Sequence, residues 1–158
     1  MKKKVRQAWS AGDLFLIPLK NDTSAVGQVL NQMMENVVSC ALFDIRVSKD
    51  EDLHTIPTIS NDRLISLLST TRERLDSGAW RVLGKRPIAV ERHRWPNEEF
   101  RRSGWVGVKI RNAALVEDFL NAFHGLAPWD DWSDPTYLDK LLISSQKKPA
   151  NLVFKDRH

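Results

Sequence analysis

The sequence holds one cysteine, one tyrosine, and seven glycines spread singly along 158 residues. Each scarcity excludes something. A lone cysteine cannot close an internal disulfide, which fits a reducing compartment. Cys40 lies in the apolar run Val37-Val38-Ser39-Cys40-Ala41-Leu42-Phe43 with no neighbouring histidine to lower its pKa, so it is read as buried filler. Scattered glycines give no loop able to cradle phosphates, and no G-x-S-x-G elbow occurs. The four histidines, His54, His93, His124 and His158, are scattered. None forms the H-x-H or i,i+4 pair that aims two imidazoles at one ion. His124 is read as a helix-end residue whose positive ring suits the C-terminal dipole, and His158 as a frayed terminus. No catalytic residue, metal ligand or cofactor is expected. Met1-Lys2-Lys3-Lys4-Val5-Arg6 opens like the basic part of a signal peptide, but Gln7, Ser10, Gly12 and Asp13 break up the segment where its hydrophobic part would lie. No apolar stretch of about 18 residues occurs anywhere, so a cytoplasmic protein without a membrane contact is expected.

What is present reads as a folded chain. Apolar residues make up 42% and charged residues 28%, ordinary for a globular protein. One domain over 1–158 is expected, with a flexible terminus at 1–10. The first half reads as short strands at Asp13–Leu19, Ala25–Leu30 and Asn36–Val47, joined by turns such as Asn21-Asp22-Thr23-Ser24. Gly27 within the second implies a bend or a close backbone approach. Arg63–Thr71 fits helix and strand almost equally, and its Ser-Thr-Thr ending favours strand. Arg72–Asp76 is a short helix stopped at Gly78. Ala79–Leu83, Ile88–Val90 and Trp105–Ile110 are further strands, and Leu152–Lys155 a last one returning to the sheet. The clearest helix is Ala113–His124, with Asn112 as N-cap, Leu115, Phe119, Leu120 and Phe123 as its apolar stripe, and Gly125 beyond its end. Tyr137–Leu142 makes a shorter one. The expected class is α+β, mostly β: a strongly bent antiparallel sheet or small barrel with one main helix in the C-terminal half.

Two stretches stand out as binding surfaces. The first is Pro128-Trp129-Asp130-Asp131-Trp132: tryptophans plugging a core edge with acids solvating the turn would give this pattern, and as a recognition patch Trp129 and Trp132 would anchor a partner while Asp130 and Asp131 supply charge selectivity. The second is Lys85–Arg102, in which Lys85, Arg86, Arg92, Arg94, Arg101 and Arg102 outweigh Glu91, Glu98 and Glu99, a net of +3. With Trp95 and Trp105 beside these cations, a nucleic-acid-binding module stays open as an alternative. Of the six tryptophans, three or four are expected in the core and one or two on the surface.

The ordered pieces Gly12–Leu19, Ala25–Leu30, Ser39–Asp44, Asp76-Ser77-Gly78-Ala79-Trp80 with Gly84, and Asp134–Leu142 resemble the immunity protein 26 family of bacterial polymorphic toxin systems. That family is also labelled HocA-type phosphotriesterase. The resemblance implies a mostly β protein that neutralises a cognate toxin by binding it. The enzymatic half of the label implies phosphotriester hydrolysis, which needs an activated water; no cluster legible in the sequence supplies one. The net charge of +4 also bears on the partner. A nuclease presents a positive substrate face, which an acidic inhibitor would suit better than this basic chain.

Overall fold

The computed structural model describes residues 6–155. The basic opening at 1–5 and the terminal His158 lie outside them. Of the segment expected to be a flexible terminus, the described part is tied to the body. Gln7 Nε2 donates to the carbonyls of Leu75 (2.8 Å) and Trp80 (2.9 Å), and Trp9 Nε1 donates to Asp76 Oδ1 (2.8 Å).

Six strands form one open, curled, mixed sheet: β1 (Asp13–Pro18), β2 (Thr23–Met34), β3 (Val37–Ser48), β4 (Leu64–Thr71), β5 (Arg81–Lys85) and β6 (Ile110–Arg111), in the order β5-β1-β2-β3-β4-β6. The β-meander from β1 to β4 is antiparallel, as is β5 against β1. The last pair, β4 with β6, is parallel, so the sheet is not purely antiparallel. It does not close into a barrel, because β5 and β6 occupy opposite edges. Register shifts at Ala25/Val26, Val29/Asn31 and Gln32/Met34 on β2 supply the curl, since each extra residue sharpens the local twist.

Both faces of the sheet are covered, which explains why β1 and β3 read as continuous apolar runs rather than alternating ones. Phe15 and Ile17 face the helix α2 (Ala113–Phe123), while Leu14 and Leu16 face the opposite layer with Ile56, Ile59 and Val90. That second layer has no long helix. It is made by the loops 49–63 and 86–96, and Arg86 staples them by donating to the carbonyls of Leu53 and Ile56. Gly27 is the predicted close approach: a Cβ there would stand 2.6 Å from Phe15 Cζ, so only glycine lets the Phe15 ring lie flat on β2. Phe15 in turn stacks on Trp80 at 5.5 Å.

The ambiguous stretch is a strand, β4, from Leu64, with Arg63 ending the 3-10 turn before it; the short helix after it is α1 (Glu73–Ser77), ended by Gly78 at φ 85°. Asn112 caps α2 through its Oδ1, which accepts from Leu115 N–H at 2.8 Å. Tyr137–Leu141 is a 3-10 turn. Three expected strands are not formed as such. Ile88–Val90 is irregular, because it runs in the covering layer and not along a sheet edge. Of Trp105–Ile110 only Ile110 enters a strand, since Gly104 and Gly107 turn the preceding chain out of the sheet. The 152–155 segment makes one bridge, Val153 with Pro128, and does not return to the sheet.

Candidate functional site

The chain leaves the fold most clearly between Asn97 and Lys109. Asn97 sits at φ 61°, in the left-handed region that asparagine tolerates better than most residues. Its side chain closes the neck of the excursion: Oδ1 accepts from Lys109 N–H (2.8 Å), and Nδ2 donates to Lys109 O (2.9 Å) and to Ser69 Oγ on β4 (3.0 Å). Inside, the 3-10 turn Glu98–Ser103 leads to Trp105 at φ 67°, whose N–H donates to Phe100 O at 2.9 Å. Gly107 passes over the Phe100 ring, where a Cβ would meet Phe100 Cε1 at 3.1 Å. This is a loop with its own small core and a tied neck, so its surface is pre-organised. At its tip Val106 is 73% exposed, the most exposed large apolar side chain among the described residues.

Charge is dense around the Glu98–Ser103 turn. Arg92 and Arg101 both pair with Glu98, at 3.6 and 2.7 Å, and lie over the rings of Trp95 and Trp105 at 5.0 and 5.3 Å. The Arg101 guanidinium, helped by Arg92, holds the Glu98 carboxyl below its ordinary value. Arg94 and Arg102 are exposed, and among the described residues no acid pairs with either. The basic stretch expected over 85–102 therefore divides. Lys85 bonds the Ala11 carbonyl (3.0 Å) and stands 3.8 Å from Asp13, and Arg86 staples the two covering loops. These two hold the fold together. Arg92, Arg94, Arg101 and Arg102 gather at the loop.

The Trp129–Trp132 stretch is arranged otherwise than expected of a recognition patch. Trp129 is 1% exposed, packs on Phe119 at 5.8 Å and donates its indole N–H to Asp139 Oδ1 at 2.6 Å. A ring so placed reaches a partner only if the core opens. Trp132 is half-buried and stacked on Tyr137 at 5.3 Å. Asp130 accepts from Lys155 N–H (2.7 Å), while exposed Asp131 pairs with Lys155 Nζ (3.0 Å). The acids thus fasten the C-terminal segment. Of the six tryptophans only Trp80 and Trp129 are fully buried; the other four are half-buried and none is largely exposed, because each lies beneath an arginine or another ring. Sequence reasoning missed Asn97, Val106 and Lys109. An Asn-x-Glu entry to a segment rich in Gly and Arg was the only signal available.

His124 corrects a second expectation. It is not a charged ring at a helix end: burial pushes its pKa from 6.5 down to about 4, with nearby Asp44 opposing and Arg46 adding. Its Nε2 is buried without a hydrogen-bond partner. Asp44, Arg46 and Lys147 face it across a recess of about 460 Å³. Because the folded pKa is lower than the unfolded one, this group's contribution to stability is complete above pH 6.5 and is lost as pH falls toward 4. Chemical denaturation at stepped pH should show stability falling below pH 6.5, by at most about 3 kcal/mol in full. His124→Gln should flatten the part between pH 6.5 and 5, before the carboxylates of Asp76 and Glu98 begin to protonate. An unchanged slope in the variant would assign the loss elsewhere. Cys40 is buried and its thiol is pushed well above its ordinary value by burial, in keeping with inert filler.

Among the described residues no group of three or more His, Cys, Asp or Glu side chains gathers as a metal site, and no helix is long and apolar enough to cross a membrane. The fold and the loop together define a small α+β protein that carries a tied, cationic display loop on one edge of a curled sheet. Its family is Immunity protein 26: that family's model matches residues 10–105, well over half of the chain, and the chain belongs to it. The match carries only the immunity-protein half of the double label that the sequence suggested. It covers β1 to β5 and the first part of the loop, up to Trp105. No curated protein and no solved structure matches the chain.

Proposed function

We propose that this chain is a cytoplasmic bacterial immunity protein that neutralises a cognate polymorphic toxin by binding it, and that the 97–109 loop is the binding face. The observation that carries the reading is the tied neck at Asn97 and Lys109, which presents Val106 and the unmatched charge of Arg102 on a rigid base, with exposed Arg94 in the turn just before it. Rigid display lowers the ordering cost of association, and arginine, unlike valine, is enriched among interface hot spots, so the loop's exposed arginine supplies the affinity and Val106 an apolar contact. The surplus positive charge selects a toxin with an acidic face. Inhibition then comes from covering the toxin's working surface.

Two other readings fit less well. Nucleic-acid binding through the arginines needs aromatic faces open to bases. Trp95 instead has Arg92 over its ring and its N–H bonded to Val90 O at 3.0 Å. A phosphotriester hydrolase needs groups converging on an activated water, and among the described residues no three His, Cys, Asp or Glu side chains gather to hold the metal that usually supplies it. The test is co-expression with the toxin encoded beside this chain's gene. Survival and a stoichiometric complex on size exclusion are expected; cell death without a complex overturns the proposal.

A further inference from the structure

At the foot of the loop a cleft of about 200 Å³ opens at the edge of β4. The outer edge of β4 is covered at one end by β6, through Ser69 and Thr70, and at the other by Ile143, whose N–H donates to Ile65 O at 2.9 Å. Between these two contacts Leu67 and Leu68 floor the cleft, and its walls carry Lys109, Arg111 and Lys140. One acid stands beside them: Asp134 binds Lys140 at 2.8 Å and is also held by Thr136. Arg111 donates to the Tyr137 hydroxyl at 3.1 Å and lies over that ring. Among the described residues no acid pairs with Lys109. Two of the three cations therefore face the cleft without a matching negative charge.

We infer that this cleft receives an aspartate or glutamate side chain of the docked partner, its carboxylate meeting Lys109 and Arg111. The inference rests on the reading of the loop as the binding face, because Asn97 and Lys109 are at once the loop's neck and the cleft's wall. A partner seated on the loop is within side-chain reach of the cleft mouth. Size points the same way: the volume is smaller than the roughly 300 Å³ at which small-molecule pockets begin, so it admits one side chain and not a cofactor or nucleotide. The arginine fork at Arg111 also matches a planar carboxylate.

The test uses the full chain, isotope-labelled, titrated at low salt with a capped hexaglutamate peptide and, separately, with hexaglutamine and with inorganic phosphate at equal ionic strength. Saturable amide shifts are expected at Ser69, Lys109, Arg111 and Leu141 with hexaglutamate alone. Lys109→Gln and Lys140→Gln should each weaken that binding, the first by about tenfold. Shifts confined to 92–102, equal shifts with hexaglutamine, or the same sites answering as strongly to phosphate would each overturn the inference. This titration needs no toxin, so a failed cleft leaves the co-expression result standing, and a failed co-expression leaves the cleft to be judged on its own.

Discussion

The double variant Arg94→Glu/Arg102→Glu is expected to fold with unchanged stability and to lose about 100-fold in affinity for the toxin, roughly 2.7 kcal/mol. The first half of that expectation comes from what the two side chains do not do. Both are exposed, and neither pairs with an acid among the described residues. Reversing them removes no internal ion pair, so the urea midpoint should move by no more than the usual scatter of surface changes. The second half comes from long-range charge. Against an acidic face each reversal replaces attraction by repulsion, and the effect should fall mainly on the association rate. Rising salt should then shrink the gap between variant and wild type, since exposed charges are screened over about 8–10 Å. Arg101→Glu would be a poor substitute, because Arg101 also holds Glu98 and covers Trp105, and its loss would loosen the loop itself. An affinity equal to that of the wild type would move the binding face away from 97–109.

The contrast between Arg94 and Arg86 shows where the sequence was legible. A run of cations is visible in one dimension, but its division into staple and surface is not. Arg86 comes directly after the last residue of β5, where its guanidinium meets the carbonyls of Leu53 and Ile56, some thirty residues earlier in the chain. No local pattern announces that contact. The meander was legible for the opposite reason: its strands are apolar, follow one another in sequence and are divided by Asn and Asp turn chemistry. The helix α2 was legible through Asn112 and its apolar stripe, which are local signals too. What could not be read was the far edge of the sheet. β6 is only two residues long and pairs in parallel with a strand some forty residues away, so it leaves no period-2 signature. The loop before it shows the same limit. Its neck depends on a side-chain amide bonding a backbone twelve residues on, a contact that composition does not encode.

Trp129 provides the sharpest separation of core from interface, because the two roles call for opposite results on substitution. As a surface anchor, truncation to alanine would leave stability intact and weaken toxin binding in the folded state. As the structure has it, the ring fills the space against Phe119 beneath α2, and its N–H satisfies Asp139. Trp129→Ala is therefore expected to cost about 3–5 kcal/mol of folding stability through the cavity and the lost hydrogen bond. That is at least about a fifth of the roughly 5–15 kcal/mol that folded proteins hold in reserve. Asp139 keeps Lys148 at 3.0 Å, so the carboxylate is not stranded and the loss should stay within that range. Trp132→Ala removes only a stacked, half-buried ring and should cost about 1 kcal/mol. The decisive comparison is binding by Trp129→Ala at low temperature, where its folded fraction can be measured beside its affinity. Affinity per folded molecule should match the wild type, so any failure to protect cells would track the folded fraction. A well-folded Trp129→Ala that bound at least 100-fold more weakly would return the anchor role to this tryptophan and draw the interface toward α2.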